Sequence, residues 1–217
     1  MTLAYPLSDP RGARPAATLA ETFERLGARM HFARDEEIYA QDDDADLLFQ
    51  VVSGVVRTSR LTADGRRQVG DFYYPGDIFG LEPGPDHRFA AEALSACELM
   101  AVRRASVRAA AGEFEFNRAI LEAARQEMER LQEHVLLLGR KSACERVASF
   151  LISLAQGRSD GPVELSMGRQ DIADYLGLTI ETVSRMLTRL QGEAIVEFPS
   201  LRAFRVRRWT ALEALAG

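Results

Sequence analysis

The chain of 217 residues contains only two cysteines, Cys97 and Cys144, so a disulfide framework is not what organises its fold. No apolar run approaches the roughly 18–20 residues that a membrane-spanning helix needs. Residues 1–17 lack the apolar core of a secretory signal peptide and predict a mobile leader. We therefore expect a cytoplasmic protein with no membrane partner.

The sequence also lacks the signatures of common enzymes. It contains no Gly-x-Ser-x-Gly nucleophile elbow and no phosphate-binding loop. An enzymatic barrel with a metal would need a cluster of histidines and carboxylates, whereas residues 31–107 contain only His31 and His87, in unrelated contexts. We expect neither catalysis nor a metal site.

Acidic residues are in excess, with a formal net charge of −5, but this excess is unevenly distributed. Residues 139–208 carry 11 basic and 8 acidic side chains, a net charge of +3, whereas residues 1–138 carry 16 and 23, a net charge of −7. A basic C-terminal third on an acidic body fits a DNA-binding module attached to another domain. The chain is long enough for two such domains.

Residues 31–107 have the pattern of an all-β domain. Short runs of β-branched and aromatic residues are broken by Gly and Asp, and Asp64–Gly65 has the composition of a hairpin turn. Such a series favours a sandwich or a barrel. The clearest strands are expected at 47–52, 54–60 and 68–74, and a helical fragment, Leu19–Met30, is expected to precede the domain.

Residues 113–138 predict one long helix, because they contain no Gly or Pro. Apolar residues recur at alternating intervals of three and four, as in a heptad seam: Leu121, Ala124, Met128, Leu131, Val135 and Leu138. Symmetric pairing with a second copy is favoured because the seam is narrow and regular. The alternative is a helix that packs only on its own domain. Gly139–Lys141 are expected to close the helix.

Arg169–Gln191 has the spacing of a helix-turn-helix. Ala173 is small where two helices cross, Gly177 suits the left-handed backbone of the turn, and Val183 fills the core between the helices. Thr179 is expected to cap the second helix. The N-terminal end of that helix, which enters the major groove, carries three candidates for base contacts: Glu181, Ser184 and Arg185.

These three side chains have donors and acceptors that suit base edges. Arg185 can donate two hydrogen bonds to guanine, and Glu181 can accept one from a cytosine amino group. The alternative interpretation makes Glu181 and Arg185 a surface ion pair four residues apart. Further candidates for DNA contacts are Arg169, Thr179, Ile180, Thr182, Arg189 and Arg202.

The segments around the helix-turn-helix predict a winged helix. Residues 142–156 have the pattern of an amphipathic helix, and residues 163–165 predict a short strand. Residues 194–198 and 201–208 predict a hairpin with its turn at Pro199–Ser200. Basic residues of this wing could contact phosphates without reading the sequence: Arg202, Arg205, Arg207 and Arg208.

The order of these parts resembles the CRP/FNR superfamily of bacterial regulators. The resemblance covers about residues 20–210, and its motifs are Ser53–Arg57, Tyr74–Gly80, Gly168–Ala173 and Glu181–Arg185. The segments Phe79–Glu82 and His87–Ala93 are similar to the FixK branch, which regulates microaerobic, respiratory and nitrogen-fixation genes. The implied fold is α+β, with a cyclic-nucleotide-binding-like jelly-roll barrel (18–112), a long dimerisation helix (113–138) and a winged helix-turn-helix (139–217).

The resemblance also implies partners. It implies a homodimer that binds double-stranded DNA at an inverted repeat with TTG…CAA half-sites, in which Glu181, Ser184 and Arg185 make the base contacts. It further implies an activator that recruits RNA polymerase.

Departures from the family pattern bear on sensing. The first 96 residues contain no cysteine, which excludes the four-cysteine iron–sulfur ligation of FNR-type oxygen sensors. Phe89 follows Arg88, where cyclic-nucleotide-responsive relatives have an Arg-Ser pair, so we expect no cyclic nucleotide. FixK-like relatives typically act without a small effector, and we expect no cofactor.

An effector-gated regulator of the same fold stays open as the alternative. A haem-dependent nitric-oxide sensor would need an axial ligand, and His31, His87 and His134 are the histidines available. Cys97 is expected to be a buried core thiol and Cys144 a packing residue. Redox control through either thiol is the alternative for these positions.

Overall fold

A computed structural model describes residues 17–82, 84–156 and 161–217. The expected leader, residues 1–17, lies outside these residues except for Ala17, where helix α1 (Ala17–Leu26) begins. Within the described residues, no helix is both long and apolar enough to cross a bilayer.

The N-terminal domain is a jelly roll of two four-stranded antiparallel sheets, which confirms the predicted fold class. Its strands are β1 (Ala28–Phe32), β2 (Glu37–Tyr39), β3 (Leu47–Ser53), β4 (Val56–Leu61), β5 (Arg67–Tyr73), β6 (Ile78–Phe79), β7 (Ala90–Ala93) and β8 (Cys97–Arg103). One sheet has the order β1-β8-β3-β6 and the other β2-β7-β4-β5. Side chains from both sheets, including Phe49, Tyr73 and Leu99, form the core between them.

Strand β1 corrects the predicted helix Leu19–Met30. The helix ends at Leu26, and Ala28–Phe32 pairs along its whole length with β8. A Cβ on Gly27 would lie 2.4 Å from the Phe23 carbonyl oxygen and 2.3 Å from the Met100 side chain, so the chain needs glycine at this close approach. Pairing with a strand about 70 residues away in sequence overrides the local helical pattern.

Three helices follow the barrel: α2 (Arg104–Ala111), α3 (Glu113–Arg140) and α4 (Ala143–Ala155). Helix α3 passes through Gly139 and ends two residues later than predicted. Helix α4 begins at a capping box, in which the Ser142 hydroxyl accepts from the Glu145 N–H and the Glu145 carboxylate accepts from the Ser142 N–H. This box separates α4 from α3.

The C-terminal domain is the predicted winged helix. It contains β9 (Val163–Glu164), α5 (Arg169–Leu176), α6 (Ile180–Gly192), β10 (Val196–Ser200), β11 (Ala203–Val206) and α7 (Trp209–Ala216). The wing is a sheet of order β10-β11-β9, and α7 packs against α4. Neither α2 nor α7 was predicted: each is only eight residues long, and neither belongs to a motif such as the helix-turn-helix, which identified the equally short α5.

The predicted turn of the wing is also corrected. Pro199 and Ser200 belong to β10, and the turn lies at Leu201–Arg202. Strand β10 lies at the edge of its sheet, and its register shifts between Glu197 and Ser200. An irregular edge strand tolerates Pro199, which has no N–H to donate.

Candidate nucleic-acid interface

The turn between α5 and α6 has the geometry that the sequence predicts. Gly177 adopts φ +61° and ψ +40°, in the left-handed region. The Leu178 N–H donates to the Ala173 carbonyl at 2.9 Å, which closes α5. The Thr179 hydroxyl then accepts from the Thr182 N–H at 3.3 Å and caps α6.

The two helices are held by a shared apolar core. Ile172 and Ala173 of α5 are buried together with Val183, Leu187 and Leu190 of α6. Because one face of α6 is committed to this core, its opposite face lies at the protein surface. The N-terminal half of α6 is thus a rigid, exposed surface.

The candidates for base contacts share this surface. Glu181 and Arg185 are exposed, and Ser184 is half-buried. The Glu181 carboxylate bonds to its own backbone N–H and to the Thr179 hydroxyl, and these bonds lower the pKa of Glu181 and keep it ionised. Within the described ranges Glu181 and Arg185 form no ion pair, and the Arg185 guanidinium lies 3.5 Å from the Thr182 hydroxyl. Both charged groups are therefore open to a ligand.

The other DNA-contact candidates occupy four places, one of which is Arg202 in the turn of the wing. Thr179, Ile180 and Thr182 cluster with the base-reading side chains, whereas Arg169 is exposed at the start of α5. Arg189, one turn beyond Arg185, donates to Glu193 at 2.7 Å.

The wing arginines have partners of their own. The Arg202 guanidinium donates to the Ser166 carbonyl at 3.1 Å. Arg205 and Arg207 both face Glu197, at 4.0 and 2.5 Å, while Arg208 is exposed. Glu197 therefore offsets part of the positive charge of the wing.

The heptad positions of α3 form an exposed apolar stripe. Leu131 is 52% exposed, and Leu121, Met128 and Val135 are more exposed still. Leu138 differs: it is half-buried, and its side chain lies against the turn at Gly177. Sequence reasoning missed Phe114, which is 77% exposed and stands one heptad before Leu121.

Sequence reasoning also missed an ionic cluster that joins the barrel to the helix-turn-helix. Arg57 of β4, only 6% exposed, donates to Glu92 at 2.5 Å and to Asp171 of α5. Arg67 of β5 donates to Asp171 at 2.7 Å and to Asp174 at 2.8 Å. Asp171, 8% exposed, also accepts from the Gly168 N–H, so the residue that starts α5 also docks it on the barrel.

Arg146 of α4 is a second anchor of the helix-turn-helix. Its guanidinium donates to the carbonyls of Leu138 and Lys141 at the end of α3, at 2.6 and 2.9 Å. It also donates to the Leu176 carbonyl at the end of α5, at 3.0 Å. A cation at these two helix C-termini satisfies acceptors that the helices leave open. The end of the long helix is thereby tied to the turn.

Arg57→Met is expected to destabilise the fold by about 1–3 kcal/mol, because the buried Asp171 would keep only Arg67 as its cation and the half-buried Glu92 would lose its ion-pair partner. DNA affinity is expected to fall as well, since α5 would lose its fixed position on the barrel. Urea unfolding and titration of a specific duplex would measure the two effects. Arg60→Met is the matched control, because Arg60 is exposed on the same strand and lies over Phe89. Equal stability of the two variants would contradict the docking role.

The three histidines lie in different parts of the fold. His87 is buried in the barrel, stacked on Tyr39 with ring centroids 3.5 Å apart, and its Nδ1 lies 3.3 Å from a Glu82 carboxylate oxygen. His31 is exposed on β1, and His134 is half-buried on α3. Across the part of the chain that the structure describes, no three His, Cys, Asp or Glu residues are grouped to hold a metal.

The two thiols differ in burial. Cys97 is buried and donates to the Val55 carbonyl at 3.3 Å, as expected for a core thiol. Cys144 is half-buried in the first turn of α4. A redox role for either thiol stays a prediction.

Comparison with known proteins agrees with the two-domain structure. Residues 29–113 match the family described as the cyclic nucleotide-binding domain, and residues 145–215 match the Crp-like helix-turn-helix domain. The nitrogen fixation regulation protein FixK of Azorhizobium caulinodans is 48% identical over 94% of this chain and 83% of its own length. FixK of Rhizobium meliloti is 43% identical over 82% of each chain. The solved structure of FixK2 from Bradyrhizobium japonicum superposes with a TM-score of 0.84, at 43% identity, over 88% of this chain and 98% of that one.

Proposed function

This chain belongs to the FixK-like branch of the CRP/FNR family of DNA-binding transcription regulators, and we propose from that premise that it acts as a homodimer on an inverted repeat with TTG…CAA half-sites. The observation that carries the proposal is the surface of α6, where an ionised Glu181 and an unpaired Arg185 stand together on a rigid helix. Arg185 reads guanine, Glu181 reads cytosine, and Ser184 supports them.

The exposed stripe on α3 supports the homodimer. A helix that leaves several large apolar side chains in water at heptad spacing is stabilised when a second copy covers them. The C-terminal end of the same helix contacts the turn of the helix-turn-helix through Leu138, and Arg146 of α4 ties the two together. Pairing of α3 therefore sets the separation of the two recognition helices.

We infer the class of regulated genes from the relatives, which are named for the regulation of nitrogen fixation. We assign the protein to activation of microaerobic, respiratory or nitrogen-fixation-type genes. Activation requires recruitment of RNA polymerase, and the site of action is the cytoplasm, where bacterial DNA lies. The barrel serves without a cyclic nucleotide, because Phe89 follows Arg88 where cyclic-nucleotide-responsive relatives have an Arg-Ser pair.

The direct test is a fluorescence anisotropy titration of the full chain with two duplexes. One duplex carries the inverted TTG…CAA repeat, and the other has both half-sites scrambled at the same length and base composition. Binding to the repeat is expected to be at least about 10³-fold tighter at physiological salt. Equal affinity for both duplexes would remove the proposed site.

A further inference from the structure

A cleft of about 300 Å³ lies where the barrel, the long helix and the DNA-binding domain meet. We call it the junction cleft. Its walls are the aromatic rings of Phe72, Phe150 and Tyr175, together with aliphatic side chains of α3 and α4. Clefts of about 300–1,000 Å³ at domain interfaces, mainly apolar with a few polar groups, are typical small-molecule sites.

One end of the junction cleft holds Lys141, the only lysine in the chain. Its ammonium group donates to the Ser149 hydroxyl at 2.9 Å and to the Ala216 carbonyl at 2.6 Å. Among the described residues Lys141 forms no ion pair, and the nearby Glu145 carboxylate, whose pKa the Lys141 charge helps to lower, is bonded to the Ser142 backbone. Lys141 thus has neutral partners, and Ser149 keeps its own hydroxyl proton to donate.

Away from Lys141 the cleft is acidic: Asp71, Asp77, Glu127 and Glu133 line it, and Arg130 offsets only part of their charge. Arg130 pairs with Glu127 and lies 3.7 Å from Asp71. Burial raises the pKa of Asp71 to about 6, so its carboxyl carries less negative charge than an exposed aspartate. Lys141 lies 11 residues beyond Arg130, which corresponds to about 16 Å along a helix. The cleft is therefore long, and among its described lining residues Lys141, at the far end, is the cation without an ion pair.

Between the two ends, His134 presents a buried nitrogen without a partner. His134 makes a hydrogen bond with the Tyr175 backbone, and its Nε2 has no partner among the described residues. Burial lowers the pKa of His134, so the ring is neutral and Nε2 accepts a hydrogen bond. A buried acceptor left unsatisfied costs stability, and a ligand with a donor group would satisfy it.

We propose that the junction cleft binds an amphipathic monocarboxylic acid. The carboxylate is held by Lys141 and Ser149, and the apolar body lies along α3 between Phe150 and Tyr175. A monocarboxylic acid suits this cleft because Lys141 supplies a cation without an ion pair and aromatic rings form the walls. Such a site makes the chain a ligand-gated regulator whose effector lies at the domain junction and not inside the barrel.

The position of the cleft links occupancy to DNA binding. Residues of β5 and α3 line one side, and α4 with Tyr175 of α5 lines the other. Those of β5 and α3 are Gly70–Phe72, Glu127, Arg130, Leu131, Glu133, His134, Leu136 and Leu137. A ligand in the cleft contacts the barrel, the long helix and the DNA-binding domain, and it therefore biases the position of α5 relative to the barrel. The binding itself is independent of DNA, whereas this consequence rests on the proposed function.

Isothermal titration calorimetry of the full chain tests binding with three probes. Decanoate supplies a linear body, phenylbutyrate an aryl body, and decanol a body without the carboxylate. At least one acid is expected to bind about tenfold or more tightly than decanol. If neither acid binds to folded wild-type protein, the proposal is wrong. Binding of only one acid supports the site and tells which body fits.

Variants locate the bound acid. Lys141→Met is expected to weaken acid binding at least about tenfold, whereas Arg140→Met, which removes the neighbouring exposed charge outside the cleft, leaves it unchanged. Ser153→Phe is expected to abolish binding by filling the cleft. Equal affinity in the Lys141→Met variant and the wild type would place the acid elsewhere and overturn the proposal.

A second measurement covers the case in which Lys141→Met fails to fold, because Lys141 also holds the end of α7. Labelling the wild-type protein with isotope-labelled lysine leaves the ammonium group intact and gives one lysine backbone amide signal in NMR spectra, because the sequence contains a single lysine. That signal is expected to shift on addition of the acid and not of decanol; an unmoved signal contradicts the site.

Regulation is measured separately. A saturating acid is expected to change affinity for the inverted repeat at least about fivefold in wild type but not in the Ser153→Phe variant. Calorimetric binding with no change in DNA affinity would retain the site and refute its role in gating. Failure of the ligand-free protein to prefer the repeat would instead count against the proposed function.

Discussion

Leu131→Glu is expected to convert the dimer to monomers at micromolar concentration. Leu131 is near the middle of the exposed stripe on α3, and in a symmetric pair each copy would place a carboxylate in the apolar seam. Burial of an unpaired charge costs about 3–5 kcal/mol, which corresponds to at least about 10²-fold in the dimer dissociation constant. Sedimentation velocity over a concentration series would show the change.

Leu136→Glu is the matched control for the seam. Leu136 is 62% exposed, more than Leu131, and it lies on the same helix outside the heptad positions. The control is expected to stay dimeric, whereas Leu131→Glu becomes monomeric. Because both residues also line the junction cleft, the comparison uses the oligomeric state alone. Dimers of equal strength in the two variants would remove α3 from the interface.

Arg185→Ala is expected to weaken binding to the specific repeat by about 1–3 kcal/mol, or about 5–150-fold, and to relax base choice at one position of each half-site. The loss comes from the two hydrogen bonds that the guanidinium would donate to guanine. Competition titrations with duplexes substituted at each half-site position measure both the affinity and the lost preference.

Arg189→Ala separates base reading from phosphate attraction. Arg189 lies one turn further along α6 and is engaged by Glu193, so its removal is expected to cause a smaller loss, equal for all sequences. If Arg185→Ala kept the wild-type affinity and preference, the assignment of the reading residues would be wrong.

The helix-turn-helix could be predicted because its determinants lie within a short stretch of sequence. Gly177 requires a left-handed backbone, Thr179 caps the next helix, and Ala173 and Val183 fill one small core. Each property depends on neighbours at most about ten residues away. The barrel strands could be predicted for the same reason, because Gly and Asp residues mark the turns between them. Gly65, for example, adopts φ +78° in a tight hairpin.

Contacts between distant segments could not be predicted. The pattern of residues 19–30 fits a helix, and only pairing with β8 makes part of it a strand. Arg57 and Asp171 are 114 positions apart, and no spacing rule links a barrel arginine to a helix N-terminus in another domain. Leu138 fits the heptad, but the turn at Gly177 covers it. Such contacts follow from the tertiary arrangement, which a local pattern does not encode.

The most direct test of a dimer with two linked recognition helices is the dependence of affinity on half-site spacing. Two α6 helices held by α3 pairing read major grooves about 34 Å apart, one turn of DNA. Inserting about half a turn, roughly five base pairs, between the half-sites moves one of them to the opposite face of the duplex. Affinity of the wild-type protein is then expected to fall to the level of scrambled DNA. Unchanged affinity for the lengthened repeat would show that the recognition helices act separately, which contradicts a dimer set by α3.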